Sequence, residues 1–105
     1  MSDIFDEREN AFEAKFAHDE EMQFKARARR DKLLGLWAAE LLGLSGETAE
    51  AYALEVVKAD LEEAGDEDVV RKLVRDLEGK ADEAAIREKL REYLAEAKAQ
   101  IVAEG

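Results

Sequence analysis

The sequence has no cysteine, no proline and only one histidine, and these absences exclude several classes of protein. Without cysteine there is neither a disulfide framework nor a thiolate metal site, and one histidine cannot supply a histidine-rich zinc site. No run of about 18 apolar residues could form a membrane span, and no basic-then-apolar signal peptide opens the chain. We therefore expect an intracellular protein with no metal and no cofactor.

Positive charge is also scarce, because the sequence has only 16 basic residues against 27 acidic ones and a net charge of −11. That field disfavours nucleic acid and anionic lipid as partners, since both are polyanions. The 105 residues suit a single domain. Good helix formers dominate them, and no segment alternates apolar and polar residues long enough for a strand. The composition predicts an all-α protein.

Glycines mark three breaks between the predicted helices. Each break pairs a glycine stop with a capping residue, as at Gly65 with Asp66 and at Gly79 with Asp82. Four helices follow, at roughly 20–42, 47–63, 67–78 and 83–103. The loops are short, so neighbouring helices should pack antiparallel. We predict a small four-helix bundle over residues 20–105, preceded by a mobile or marginally helical segment at 1–19.

Each predicted helix carries an apolar stripe at helical spacing, which we assign to the core. In the first helix the stripe is Leu33, Trp37, Leu41 and Leu44. In the second it is centred on Tyr52, Val56 and Ala59, in the third on Val70, Leu73, Val74 and Leu77, and in the fourth on Ile86, Leu90, Tyr93, Leu94, Ala97 and Ile101.

The first 24 residues differ from the rest, because they hold all four phenylalanines. In a helix, Phe5, Phe12 and Phe16 would fall within about 40° of one another. The same line then meets polar residues at 19, 20 and 23 and does not run smoothly to Leu33 and Trp37. Such a stripe is typical of a helix that docks in a groove of another protein. It also suits a first helix that folds over one end of its own bundle, and periodicity alone does not decide.

Three other features have simple explanations beside their functional ones. The basic residues at 25–32 could bind an acidic surface of a partner or of the bundle itself, or form a solvated helix face. The acidic stretch from Asp60 to Arg71 approaches the spacing of a calcium loop, but Arg71 stands where a bidentate glutamate is required. No nucleophile–histidine pair, phosphate-binding loop or Glu-x-x-His motif is present, so no catalytic residue is predicted.

Several segments together resemble one known family. They are residues 5–21 (FDERENAFEAKFAHDEE), 24–30 (FKARARR), 32–39 (KLLGLWAA), 49–53 (AEAYA), 55–57 (EVV) and 62–66 (EEAGD). The chain resembles the zeta subunit of α-proteobacterial F-type ATP synthases over nearly its whole length, less closely in the last third. Departures include Asp31, where asparagine is common in the family, and Leu61, where phenylalanine is common.

The resemblance implies a small four-helix bundle that inhibits ATP hydrolysis by the synthase and is not itself an enzyme. In that family the N-terminal segment enters the catalytic head as a helix, at an interface of α and β subunits near the central stalk, and blocks hydrolytic rotation. The implied partner is therefore the F-type ATP synthase head, and the implied location is the cytoplasm, at the membrane-bound synthase. The free protein is expected to be a monomer.

Roles for the N-terminal residues follow as hypotheses from the resemblance and the stripe. The apolar anchors would be Phe5, Phe12 and Phe16, and the charged rim would be Arg8, Glu9, Glu13 and Lys15. His18 is a candidate pH sensor, since its ordinary pKa is near 6.5, or else an exposed histidine without consequence. Two other functions stay open: a bundle that binds a small ligand such as a nucleotide, and an assembly adaptor.

Overall fold

The structure is a computed structural model that describes residues 19–62 and 65–104. This part of the chain forms four helices: α1 (Glu20–Leu41), α2 (Gly46–Glu62), α3 (Glu67–Asp76) and α4 (Glu83–Glu104). Helix α1 packs against both α2 and α4, and the short α3 packs against the same two helices. The predicted all-α four-helix bundle is confirmed, whereas residues 1–18 lie outside the described residues.

Both ends of α1 have well-defined caps. At the start, the Asp19 carboxylate accepts a hydrogen bond from the Met22 backbone N–H at 3.1 Å. At the end, Gly43 adopts a φ of +78°, which side chains disfavour and glycine permits. The N–H of Leu44 then donates to the Ala39 carbonyl at 2.9 Å, which closes a Schellman motif. The glycine stop predicted from the sequence therefore ends this helix.

The two aspartates predicted as caps behave differently. Asp82 accepts a hydrogen bond from the Ala85 N–H at 2.8 Å, as a capping residue should. Asp66 makes no side-chain hydrogen bond to α3, so the prediction that it caps this helix is wrong. Its own backbone is already helical, and its carboxylate lies 3.0 Å from the guanidinium of Arg30. An ion pair between helices has taken the place of the cap.

The main core lies where all four helices meet. Apart from the Tyr52 hydroxyl its side chains are apolar, and it consists of Leu34, Ala38, Ala39, Tyr52, Val56, Val69, Val70, Leu73, Leu77, Ile86 and Leu90. A second, smaller apolar cluster lies near the start of α1, where Ala26 meets Ile101 of α4, with Met22 and Leu94 packed beside them. Both clusters include residues of α1 and of α4.

The buried face of α1 differs from the predicted one. Leu34 and Ala38 are fully buried, whereas Trp37 is only partly buried and Leu41 is exposed. The reason is the close approach of α1 to α2 at Gly35, where an added Cβ would lie 2.6 Å from the Cα of Ala53. Such an approach requires small residues on the contact face, and it turns the bulkier stripe toward the rim of the bundle.

This correction also changes the interpretation of the phenylalanine stripe. Phe16 precedes Leu34 by five turns of about 3.6 residues, so the two positions share one face of a continuous helical pattern. The stripe itself lies outside the described residues, so the prediction that it does not run smoothly into the bundle stripe stays a prediction. What separates the two is a run of polar residues on the same face, including Arg27 and Arg30. Both interpretations of the segment stay open.

Candidate functional site

The residues predicted to bind a partner all precede the described part of the chain. They are Phe5, Arg8, Glu9, Phe12, Glu13, Lys15 and Phe16, together with the candidate pH sensor His18. The described residues begin at Asp19, directly after them. The structure therefore shows the place at which this segment joins the bundle, and that place is the candidate functional site.

A buried ion pair lies at the middle of α1. Arg30 and Asp31 are only 3% and 1% exposed. The Nε and NH2 groups of Arg30 both donate to the same carboxylate oxygen, Oδ1 of Asp31, at 3.0 and 2.9 Å. The second oxygen, Oδ2, is buried without a hydrogen-bond partner among the described residues. The pair is therefore incompletely satisfied.

Further charges reach this pair from the other side of the bundle. Asp60, at the end of α2, is 6% exposed and accepts a hydrogen bond from NH2 of Arg27 at 2.9 Å. Its Oδ2 lies 3.7 Å from NH2 of Arg30, and Asp66 lies 3.0 Å from the same guanidinium. We call Arg27, Arg30, Asp31, Asp60 and Asp66 the ionic cluster. It fastens the start of α1 to the end of α2 and to the beginning of α3.

The basic patch at 25–32 is thus largely occupied by the bundle itself. Besides Arg27 and Arg30, Arg29 pairs with Glu104 in the last turn of α4, and Lys32 lies 3.9 Å from Glu50 of α2. Of the two binding partners considered for this patch, the bundle itself is the one that the structure shows.

Burial sets the protonation of Asp31. Desolvation, and then the neighbouring carboxylate of Asp60, raise the pKa of Asp31 to about 8, although Arg30 acts in the opposite direction. Desolvation opposes the charged form of Arg30 too, but its neighbouring carboxylates hold the pKa of this guanidinium above the usual value. The arrangement therefore favours a charged arginine beside a neutral aspartic acid near pH 7.

Apolar side chains are exposed beside the ionic cluster. Phe24 on α1 and Leu61 on α2 are each 60% exposed, and Leu54 is 53% exposed on the same helix. Phe24 and Leu61 border a cavity of about 180 Å³, which also reaches Val57, Asp31 and Asp60. This surface adjoins the point at which the N-terminal segment enters the bundle.

A second polar contact joins α2 to α3 on another side of the bundle. The Tyr52 hydroxyl donates to the Asp76 carboxylate at 2.8 Å, and Lys72 donates to the same oxygen at 2.9 Å. Burial works against ionisation of Asp76, but these two donors prevail and lower its pKa. The contact is fully satisfied, so it is a structural link between the helices.

Sequence reasoning missed the ionic cluster and the Asp19 cap. The signal for the cluster is the spacing of Ala26, Arg30, Leu34 and Ala38, four residues apart on one face of α1. Two small alanines and a leucine on that line predict a buried face, and Arg30 then falls within it. Asp60 gives no comparable signal, because acids are frequent in this chain and the contact with α1 is set by the fold.

The described residues contain no group of three or more histidine, cysteine or acidic side chains that could hold a metal ion. Nor does this part of the chain include a helix with the length and hydrophobicity needed to cross a lipid bilayer. The chemistry of the site is therefore that of ion pairs, hydrogen bonds and apolar contacts.

Two of the comparisons with known proteins give matches. A family model described as ATPase inhibitor subunit zeta matches residues 1–100. Three chains among the solved structures also match. One of these, determined by solution NMR, is 62% identical, with a TM-score of 0.74, and the match covers 80% of this chain and 99% of that one. No curated protein matches the chain. The family match includes the segment that precedes Asp19.

Proposed function

The chain belongs to the ATPase inhibitor subunit zeta family, and from this membership we propose that its N-terminal segment is the inhibitory element. Membership makes the protein a regulatory inhibitor of an ATPase, with an ATP synthase as its partner, and not an enzyme. The family match over residues 1–100 is the observation that carries the proposal, because it includes both the segment and the bundle.

In the proposed mechanism the segment enters the catalytic head of the synthase as a helix. It binds at an interface of α and β subunits near the central stalk and prevents rotation in the hydrolytic direction. Phe5, Phe12 and Phe16 fill apolar pockets, since aromatic side chains supply much of the energy of most interfaces. Arg8 and the other charged residues form the rim, where the planar guanidinium can bind a carboxylate through two hydrogen bonds.

The geometry at the base of the segment supports an inhibitory role for the segment and an anchoring role for the bundle. The segment leads directly into α1 at Asp19, and α1 is fastened to α2 by the ionic cluster and to α4 by the contacts of Ala26 with Ile101. A partner that holds the segment therefore also holds the bundle. The proposed location is the cytoplasmic face of the membrane, at the synthase.

The test is ATP hydrolysis by the isolated catalytic head of a related bacterial ATP synthase. Three chains are compared at equal concentrations: the full chain, a chain that lacks residues 1–18, and Phe12→Ala. Burial of one phenylalanine stabilises a complex by about 1.5–3 kcal/mol, so Phe12→Ala should raise the half-inhibitory concentration roughly 10- to 100-fold. The shortened chain should not inhibit.

Phe24→Ala is the matched control, because Phe24 is an exposed phenylalanine that lies beyond the segment. It should inhibit as the full chain does. If Phe12→Ala also inhibits normally, the anchor assignment is wrong. If the shortened chain inhibits fully, the bundle surface is the effector, as the adaptor hypothesis requires. Nucleotide-induced NMR shifts confined to the bundle would instead favour the ligand-binding hypothesis.

His18 remains a proposal of its own within this mechanism. Its protonation near pH 6.5, between the positive Lys15 and the acids at 19–21, would change the charge at the base of the segment. The inhibition assay repeated from pH 6 to pH 8 tests it, with His18→Asn as the comparison. Inhibition that stays constant over this range would exclude the sensor.

A further inference from the structure

The ionic cluster contains one buried carboxylate oxygen, Oδ2 of Asp31, that its two arginines leave without a hydrogen-bond donor. The described charges that face it come from three parts of the fold: Arg27 and Arg30 from α1, Asp60 from α2, and Asp66 from the residues before α3. Glu20, in the first turn of α1, borders the adjoining cavity. With Asp31 itself, three aspartates share two guanidinium groups. One of the three, Asp66, is partly exposed.

The remaining two carboxylates are both buried, and they are not equivalent. Asp60 accepts a short hydrogen bond from Arg27, whereas Asp31 receives Arg30 on one oxygen and nothing on the other. A buried carboxylate oxygen without a donor is costly to keep ionised. When Asp31 carries a proton, the same oxygen becomes a donor, and its neighbour Asp60 is an acceptor.

We propose that Asp31 and Asp60 share one proton, and that loss of this proton at alkaline pH releases the start of α1 from α2. The proposal does not depend on how the protein inhibits its partner. Two arginines and two aspartates with one proton between their carboxyls satisfy the buried groups. Two unshared buried negative charges do not, and their repulsion acts across the contact of α1 with α2.

The start of α1 is the part that would respond, because little else holds it to α2. Leu34 and Ala38 pack in the main core and Gly35 lies against Ala53 of α2, whereas the turns before Arg30 contribute Ala26 and Met22 to a small cluster with α4. Burial and the contact with Asp60 raise the pKa of Asp31 to about 8. The release is therefore expected between about pH 7 and pH 9.

The direct test is a carbon-13 NMR titration of the aspartate carboxyl groups in the full chain from pH 5 to pH 10. We expect the Asp31 carboxyl carbon to show the protonated form at pH 6 and to titrate between pH 7 and pH 9. A titration of Asp31 near pH 4, where an ordinary aspartate ionises, overturns the proposal. This measurement uses the unmodified protein and does not depend on how any variant folds.

The second test follows the release itself by limited trypsin digestion at pH 7 and pH 9, scored by cleavage after Arg27 and Arg29. Cleavage in the unmodified chain should accelerate about tenfold at pH 9, relative to an unstructured peptide under the same conditions. In Asp31→Asn the neutral amide replaces the protonated acid, so the acceleration should vanish. Glu40→Gln, a change to an exposed acid of the same helix, should behave as the unmodified chain. Equal acceleration in Asp31→Asn overturns the proposed release.

Discussion

Two neighbouring stretches of α1 are held in the bundle by different forces. Around Leu34 and Ala38 the contacts are wholly apolar and close, and at Gly35 the two backbones approach so nearly that no side chain fits. Around Arg30 and Asp31 the contacts are ionic, buried and incompletely satisfied. Apolar contacts depend on shape and are indifferent to pH, whereas the ionic cluster depends on protonation and is less sensitive to volume. The stability that one stretch of α1 contributes therefore depends on side-chain volume, and the stability that the other contributes depends on pH.

The largest loss of stability should come from a change in the apolar stretch of α1, around Leu34. Leu34→Ala removes a fully buried side chain from the main core, and we expect the free energy of unfolding to fall by about 2–5 kcal/mol. Leu54→Ala is the matched control, since Leu54 is exposed, and it should change stability by less than about 0.5 kcal/mol. Urea denaturation at constant pH measures both. Equal effects of the two changes would contradict the position of the core.

The next effect concerns pH. Because the pKa of Asp31 is raised to about 8, its contribution to stability is complete below about pH 4, declines as the pH rises, and is absent above about pH 8. We expect the free energy of unfolding to fall between pH 5 and pH 8 with a slope of at most about 1.4 kcal/mol per pH unit. Asp76 has the opposite sign, since its pKa is lowered, and its contribution is lost only in acid.

Two variants sharpen this prediction. Asp31→Asn should flatten the slope, whereas Leu34→Ala should keep it while lowering the whole curve. His18→Asn, introduced into each chain, removes the single histidine as a second source of pH dependence. Urea denaturation at several pH values and constant ionic strength supplies the curves. A free energy of unfolding that stays constant from pH 5 to pH 8 in a chain that keeps Asp31 would contradict the distinction between the apolar and the ionic stretch of α1.

The smallest effect should come from the exposed edge of the ionic cluster. Asp66 pairs with the buried Arg30, but its own side chain is partly in water, so Asp66→Asn should cost no more than about 1 kcal/mol. The loss should shrink at high salt, because screening weakens exposed ion pairs. Denaturation in low and high salt checks this. A loss that is large and independent of salt would mean that Asp66 belongs to the buried part of the cluster.

Much of the fold could be predicted from the sequence, because glycines and caps are local signals. The helix ends at Gly43 and Asp82 follow from a few neighbouring residues. The face of α1 could not be found in the same way, because Trp37 and Leu41 are larger and more apolar than the small residues that pack. The close approach of Gly35 to Ala53 decides that face, and it belongs to two helices at once.

Only part of the candidate site could be predicted from the sequence. The phenylalanine stripe and the resemblance identify the N-terminal segment, since both depend on residues close together in the chain. Asp60 and Arg30 are thirty positions apart, and no local pattern joins them. Asp66 was assigned to a cap because its sequence position suits one, but the ion pair with Arg30 competes successfully for the same carboxylate. Long-range electrostatics is the part of this protein that sequence patterns do not reveal.

The narrow contact at Gly35 also has a mechanical consequence. Helix α1 lies against both α2 and α4, so a pull applied at Asp19 along the helix axis loads it in shear and does not peel it from an edge. To slide along its axis, α1 would have to carry Asp31 or Ala39, which lie one turn from Gly35 on the same face, past Ala53, where there is no room even for a methyl group. Helix α1 therefore resists sliding along its axis, and the bundle can hold the base of the N-terminal segment in a fixed position.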